Sequence, residues 1–468
     1  MHKHTRRCEW SAILAIAVMI TLSSVARAQQ APPSPLSLTQ AVSSALQNYP
    51  AVSVSQEQVN AAAAGIQLAR TAYLPRVDSL ASINRGTRNN VFGLSLPQGV
   101  IPSISGPVLG TNNFGTVWGS AVGGLVTWEP FDFGLRRASV SASSASKTRS
   151  EAALKRTEFE VAVSAADAYL TLVAAQETVR AAQAGVDRAD VLARTVRAQV
   201  DAQLRPGADA SRADAERAAA QTQLARAGQA VEVARALLGR FVGVDPRQIA
   251  VAASKLLQLP PEQTVPQLNA AVNPIAIEQN AVIEQARAQL QVLERAYFPR
   301  FFLQGSAYAR GTGAQLDGTR LGGANGLAPT VQNYALGFAV TFPVFDLASI
   351  HAKQAGQSAT VRAEEARARQ VATDLMARWN EAVASLDGAR KVAANTPVQL
   401  SAANAATQQA TARYQASLGT VLDVADAQRL LTQSEIDDAL ARLGVWRSLL
   451  GVAVAVGDVQ PFLVEAGP

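Results

Sequence analysis

Tyr73-Leu74-Pro75-Arg76 returns 224 residues later as Tyr297-Phe298-Pro299-Arg300, and Pro50 returns as Pro274 at the same spacing. Thr127-Trp128 and Phe131-Asp132 return 214 residues later as Thr341-Phe342 and Phe345-Asp346; Leu204 and Asp209 return as Leu418 and Asp423. Copies that share a register over about 150 residues point to a duplicated unit, which governs the fold before any local feature does. The change of spacing falls between the first and second landmarks, so one half carries a shorter loop there. The boundaries that follow are a first repeat over 29–242, a connector over 243–273, a second repeat over 274–457 and a C-terminal tail over 458–468. Each repeat reads as a short helix, a β-hairpin (74–133 or 298–347) and a long helical hairpin.

The hairpin windows carry ten of the thirteen phenylalanines, at 92, 114, 131, 133, 298, 301, 302, 338, 342 and 345. Between them the chain is rich in Ala, Gln, Arg, Glu and Val. Tyr334, Leu336, Phe338, Val340 and Phe342 alternate with Ala335, Gly337, Ala339 and Thr341. Val122, Val126 and Trp128 alternate in the same way with Ala121, Gly123 and Thr127, and Phe301, Leu303 and Ala307 with Gln304, Ser306 and Arg310. A large apolar face backed by a small or polar one, over about ten residues, is the pattern of a lipid-facing barrel strand. A dry sandwich strand is the competing reading, and the polar second face and the aromatics at strand ends argue against it. Trp118, Trp128, Phe338 and Phe342 are expected to form girdles at the membrane interfaces. Four strands cannot close a barrel, and an open edge in hydrocarbon is not viable. Three chains would give twelve strands. The Gly/Pro/Asn-rich loops at about 87–116 and 313–332 fit exposed surface.

Residues 136–203 hold no proline and one glycine, Gly185; 348–417 match that length. At 1.5 Å per residue each run reaches roughly 100 Å, longer than any globular core, so coiled-coil packing is the expected use. The first run ends at Arg205-Pro206-Gly207 and the second near Gly419, and a helix then returns to about Leu238-Gly239 or Leu450-Gly451. Pro397 lacks an N–H and is expected to kink or interrupt the second long helix.

Residues 1–28 read as a secretory signal: Lys3, Arg6 and Arg7, an apolar stretch from Ala12 to Leu22, and Ala26-Arg27-Ala28 as a cleavage site. Its loss removes Cys8, the only cysteine, and a net three positive charges, so the formal charge falls from +6 to +3. That charge is spread along helices, which is not a nucleic-acid face. His351 is then the sole histidine, so the usual ligands of zinc and haem are missing; no cofactor is expected. No convergent set of titratable side chains suggests an enzyme.

Leu38-Thr39-Gln40-Ala41, Asn48-Tyr49-Pro50, the Tyr-Leu/Phe-Pro-Arg and Phe-Asp motifs, and above all Tyr414-Gln415-Ala416-Ser417-Leu418-Gly419-Thr420-Val421-Leu422-Asp423-Val424-Ala425-Asp426-Ala427 give the sequence its family likeness. Over nearly all of the chain it resembles the TolC-like outer-membrane efflux protein family. The resemblance implies an α+β membrane protein, a homotrimer with a twelve-stranded barrel in the outer membrane and a twelve-helix periplasmic tunnel gated at its inner tip. It implies that Asp423 and Asp426 form carboxylate rings on the lumen, where repulsion would hold some protons more tightly than in water and multivalent cations could bind. It also implies that Tyr414 and Asp209 link neighbouring helices at the closed gate. Gly419 stands where a basic gate partner can occur, and Arg212 at the repeat position of Asp426. Leu204, Arg205, Pro206 and Gly207, with Ser417, Leu418, Gly419 and Thr420, are the implied docking tips for a periplasmic adaptor. The function implied is a passive exit duct for small toxic solutes or drugs driven by an inner-membrane transporter. A type I protein-secretion duct is the alternative within that class, and a trimeric coiled-coil stalk or adhesin the alternative outside it.

Overall fold

The computed structural model describes residues 35–87, 115–252, 254–262, 264–315 and 319–467. The expected signal at 1–28, Phe92, Phe114 and most of the 87–116 loop lie outside the described residues. The elements in chain order are α1 (Leu38–Asn48), α2 (Pro50–Thr71), β1 (Arg76–Thr87), β2 (Thr116–Phe131), α3 (Leu135–Asp201), α4 (Gly207–Val242), α5 (Pro274–Arg295), β3 (Arg300–Thr312), β4 (Val331–Thr341), α6 (Leu347–Gln415), α7 (Val421–Val456) and α8 (Gln460–Ala466).

Local chemistry sets the helix ends. Ser37 and Gln40 make a reciprocal capping box at the start of α1. Pro50 and Pro274 open α2 and α5, where a missing N–H costs nothing, and Asn273 caps α5 by accepting from the Ile275 N–H. The returning helices α4 and α7 run past Gly239 and Gly451, beyond the ends expected from sequence. An interior glycine costs only about 1 kcal/mol; the stop comes where a left-handed residue is available, at Gly243 (φ 79°) and Gly457 (φ 92°).

Helix α6 passes through Pro397 without interruption, which corrects the interruption expected as one of two outcomes there. One lost hydrogen bond in 69 residues is offset by packing on both sides. Before the proline, Leu386 and Ala393 are buried against Ala441, Val445 and Val452 of α7, and the Thr396 hydroxyl donates to the buried Asp438 carboxylate at 3.0 Å; after it, Ala403 is buried and the Thr407 hydroxyl donates to Ala427 O of α7 at 3.0 Å. Gly185 also has a packing role. A Cβ there would lie 2.8 Å from the Thr432 hydroxyl, so the glycine lets α3 and α7 approach.

The largest core lies midway along α3, where α1, the later parts of α4 and α7, α8 and the 245–258 segment meet it. Tyr169 is wholly buried there, its hydroxyl 2.9 Å from Leu36 O and 2.7 Å from Ala252 O. Burial pushes its pKa up to about 12, with the backbone contact at Ala252 opposing the rise. The Trp446 indole donates to Gln258 O, and Phe462 and Leu463 of α8 are buried beside it. The connector and the C-terminal segment thus pack against the helices at the level of this core.

Candidate functional site

The four strands form one antiparallel sheet in the order β1-β2-β3-β4, and among the described residues both outer strands have an open edge. Pairing aligns most of the large apolar residues of the strands on one face: Ala81 with Val122, Trp128 with Leu303, Leu303 with Phe338, and Phe301 with Val340. This face is bare. Tyr334 is 83% exposed, Leu336 81%, Ile83 67% and Phe338 62%. The opposite face is mostly small or polar, interrupted by Leu80, Val117, Leu125 and Phe302; Ala121, Gln304, Ser306 and Tyr308 are buried on it. Gly123 faces Tyr308 there, and a Cβ at 123 would sit 2.3 Å from the Tyr308 Cβ. Trp118 and Trp128 share the apolar face ten residues apart on β2. At about 3.3 Å per residue and a tilt near 40° they are separated by roughly 25 Å of height, the thickness of an outer-membrane apolar band. Arg85 lies over the Trp118 ring, and the Trp128 indole donates to Tyr73 O at 3.2 Å. Phe338 and Phe342 belong to the helix-side end, with Phe131, Phe133, Phe298 and Phe301 clustered near them.

At that end a buried ion pair joins sheet to stalk. Asp132 accepts from the Arg136 backbone N–H (2.6 Å), the Arg136 guanidinium (2.9 Å) and the Gly134 N–H (3.1 Å). Arg136 also donates to Ala72 O and stacks over the Tyr73 ring, so the Tyr-Leu-Pro-Arg and Phe-Asp motifs meet through one side chain.

The opposite end of the stalk holds the two helical tips, built on one plan. Gln203 (φ 57°) and Ser417 (φ 61°) take the left-handed conformation, and the Leu204 and Leu418 N–H groups reach back to Gln199 O and Arg413 O at 2.9 and 2.8 Å. This Schellman geometry leaves both leucines bare, at 74% and 72% exposed. Tyr414 is buried among Leu192, Val196, Ala213, Val421 and Val424, with the Arg205 guanidinium 4.8 Å from its ring. Its hydroxyl donates to the Gln199 side-chain carbonyl at 2.8 Å, so its partner within the chain is an amide and not Asp209. Burial raises the Tyr414 pKa, the Arg205 cation opposes this and the Asp209 carboxylate adds to it. Asp423 completes a capping box with Thr420, accepting from its N–H at 2.8 Å and its hydroxyl at 2.9 Å; these donors hold the carboxyl below its ordinary pKa. Asp426 pairs with Arg429, which also approaches Glu216 of α4 at 3.5 Å. Among the described residues no group of three or more His, Cys, Asp or Glu side chains is placed to hold a metal ion.

Comparison with known proteins follows the division into two repeats. The family described as outer membrane efflux protein matches residues 41–244 and 266–458. The chain belongs to that family. Its members are outer-membrane efflux channels, which places this chain in the outer membrane with its helices in the periplasm. The fold is that of solved channels in the group. The outer-membrane channel OprN is 21% identical (TM-score 0.69, 90% of this chain and 89% of that one). The Campylobacter jejuni CmeC channel is 17% identical (0.71, 90% and 85%), and the Neisseria gonorrhoeae MtrE channel in its open state 19% (0.70, 91% and 89%). No curated protein matches the sequence significantly.

Several residues of this efflux protein's site escape sequence reading. Arg136 and Gln199 lie on one long Ala- and Arg-rich helix, α3, where little local distinguishes them. Arg136 had one available signal, its position one turn after the Phe-Asp motif. Gln199 had none, because its partner Tyr414 is distant in sequence.

Proposed function

We propose that three copies of this chain close a twelve-stranded barrel continued by a twelve-helix tunnel, the passive exit duct of a tripartite efflux system. The observation that carries this reading is the four-stranded sheet with a bare apolar face and two open edges. Hydrocarbon tolerates such a face and does not tolerate such edges, so the edges require further copies. The repeated hairpin, with its returning motifs, gives each copy two equivalent strand pairs and two equivalent helix pairs. Trp118, Trp128, Phe338 and Phe342 would anchor the barrel at its interfaces. Cargo would be small toxic solutes or drugs, delivered by an inner-membrane transporter through a periplasmic adaptor.

The tips would be both gate and docking point. Leu204, Arg205, Pro206 and Gly207 with Ser417, Leu418, Gly419 and Thr420 present the exposed leucines that an adaptor hairpin could cover. Tyr414, Gln199 and Arg205 tie the two tips of one copy together, with Asp209 adjacent. Asp423 and Asp426 would line the constriction as rings. Within one chain the Thr420 donors lower the Asp423 pKa, so the rise expected of a ring must come from the other copies. The test is conductance in planar bilayers. Asp423→Ala with Asp426→Ala is expected to relieve block by trivalent cations, and unchanged block would remove the rings from the proposal. Duct function itself is read by drug susceptibility in a host lacking its own efflux channels, with the cognate pump and adaptor supplied.

A further inference from the structure

Two of the three strand pairings in the sheet are the same pairing. Arg76 opposes Thr127 in β1–β2, and Arg300 opposes Thr341 in β3–β4. The members stand 224 and 214 residues apart, the spacings at which the sequence motifs return. The match holds along the hairpin: Val77 opposite Val126 becomes Phe301 opposite Val340, and Ala81 opposite Val122 becomes Gly305 opposite Leu336. The middle pairing, β2–β3, is then the joint between one hairpin and the next. The free edges, β4 and β1, are strands of the same two kinds as β2 and β3.

We infer that β4 of one copy pairs with β1 of a second copy in the register that β2 and β3 use within the chain. Leu125 opposite Ser306 becomes Ala339 opposite Ser82 of the partner subunit. Gly124 opposite Ala307 becomes Phe338 opposite the partner's Ile83, and Val126 opposite Gly305 becomes Val340 opposite the partner's Ala81. The inference rests on the trimeric reading above and adds its residue-level seam.

Three observations support this register. It places bare apolar side chains beside bare apolar side chains on the lipid face, whereas a shift by one residue would turn one strand inside out. The close approach that requires Gly123 opposite Tyr308 has its counterpart at position 337, which is also glycine and would face the partner's Asn84. The β2–β3 ladder shifts register between Trp128 and Phe131, bringing Phe131 against Phe301 at 6.0 Å between ring centroids. Phe345 occupies the place of Phe131 and is 100% exposed. The same bulge would carry it onto the partner's Val77, itself 69% exposed. Closure adds a physical reason, because a barrel has one tilt and stagger and equivalent joints must share them. One contact does not transfer. Glu129 pairs with Arg300 at 2.6 Å inside the chain, but Pro343 stands in the place of Glu129, and Arg76 pairs instead with Asp78.

The test exploits the scarcity of cysteine, since Cys8 is the single one in the chain and is replaced. In a Cys8→Ser background, Ser82→Cys with Ala339→Cys and, separately, Ala81→Cys with Val340→Cys are oxidised in isolated outer membranes. Both are expected to shift the monomer band to reductant-sensitive covalent dimer and trimer. Ser82→Cys with Gly337→Cys or with Thr341→Cys should not, because diagonal neighbours two residues away are too far apart for a disulfide. Cross-linking of either control pair in preference to the inferred pairs would overturn the register and leave the trimer standing, as would no cross-linking in a protein of trimeric native mass. No cross-linking in a protein of monomeric mass would overturn the trimer as well.

Discussion

The two strand-to-helix junctions start from the same Phe-Asp motif and finish differently. At the first, Asp132 is buried under Arg136, and Phe131 and Phe133 pack on Phe298 and Phe301. At the second, Phe345 is fully exposed, Asp346 is exposed, and Ile350 stands where the first junction has arginine. The first lies inside the sheet, between β2 and β3, and its partners belong to the same chain. The second lies on the edge strand. A side chain as costly to leave in water as Phe345 marks a surface that the single chain leaves unfinished.

The junctions should therefore respond unequally to mutation. Arg136→Ala strands a buried carboxylate and is expected to cost about 3–5 kcal/mol in chemical unfolding from detergent micelles. Asp346→Ala is expected to change stability by no more than about 0.5 kcal/mol. Equal losses would break the comparison. Gly123→Ala comes next, because its methyl would meet Tyr308. A loss of about 1–3 kcal/mol is expected, against almost none for Gly124→Ala, whose nearest neighbour would be 3.7 Å away.

The tips sharpen the contrast at smaller scale. Both turn through a left-handed residue, but α4 begins at Pro206 without a side-chain cap, whereas Thr420 and Asp423 cap α7 reciprocally. Thr420→Ala should cost about 1 kcal/mol, read as faster hydrogen exchange at the start of α7. Tyr414→Phe removes the bond to Gln199 and is expected to cost about 0.5–1.5 kcal/mol and raise the open fraction of single channels. A conductance record identical to the parent's would mean that Tyr414 only packs. The pH dependence has a definite sign. Because the folded pKa of Asp423 is depressed, the cap is fully present above the ordinary value of 3.8 and is lost as pH falls through the lower folded value. Exchange at the start of α7 should stay flat from neutral pH to about 4 once corrected for intrinsic rates.

Much of the fold was legible because its signals are periodic. Alternation in β2, β3 and β4 located the lipid face, and the length of proline-free sequence gave α3 within a few residues. Pro397 misled because a proline's local cost is small beside the packing of a 69-residue helix on its neighbour. The Leu-Gly pairs misled because a helix stops at the residue that turns left-handed. The tip was legible only as a motif. That Tyr414 bonds Gln199, and that Asp423 is a cap as well as a lumen candidate, depends on which helices meet, which periodicity does not encode.

The central claim is that the open-edged sheet is one third of a closed barrel. Its most direct test is the native mass and shape of the protein purified from outer membranes in mild detergent, by light scattering with negative-stain imaging. The account predicts a particle of three chains with a stalk roughly 100 Å long projecting from a detergent-covered end. A compact single-chain particle without a detergent belt would contradict it.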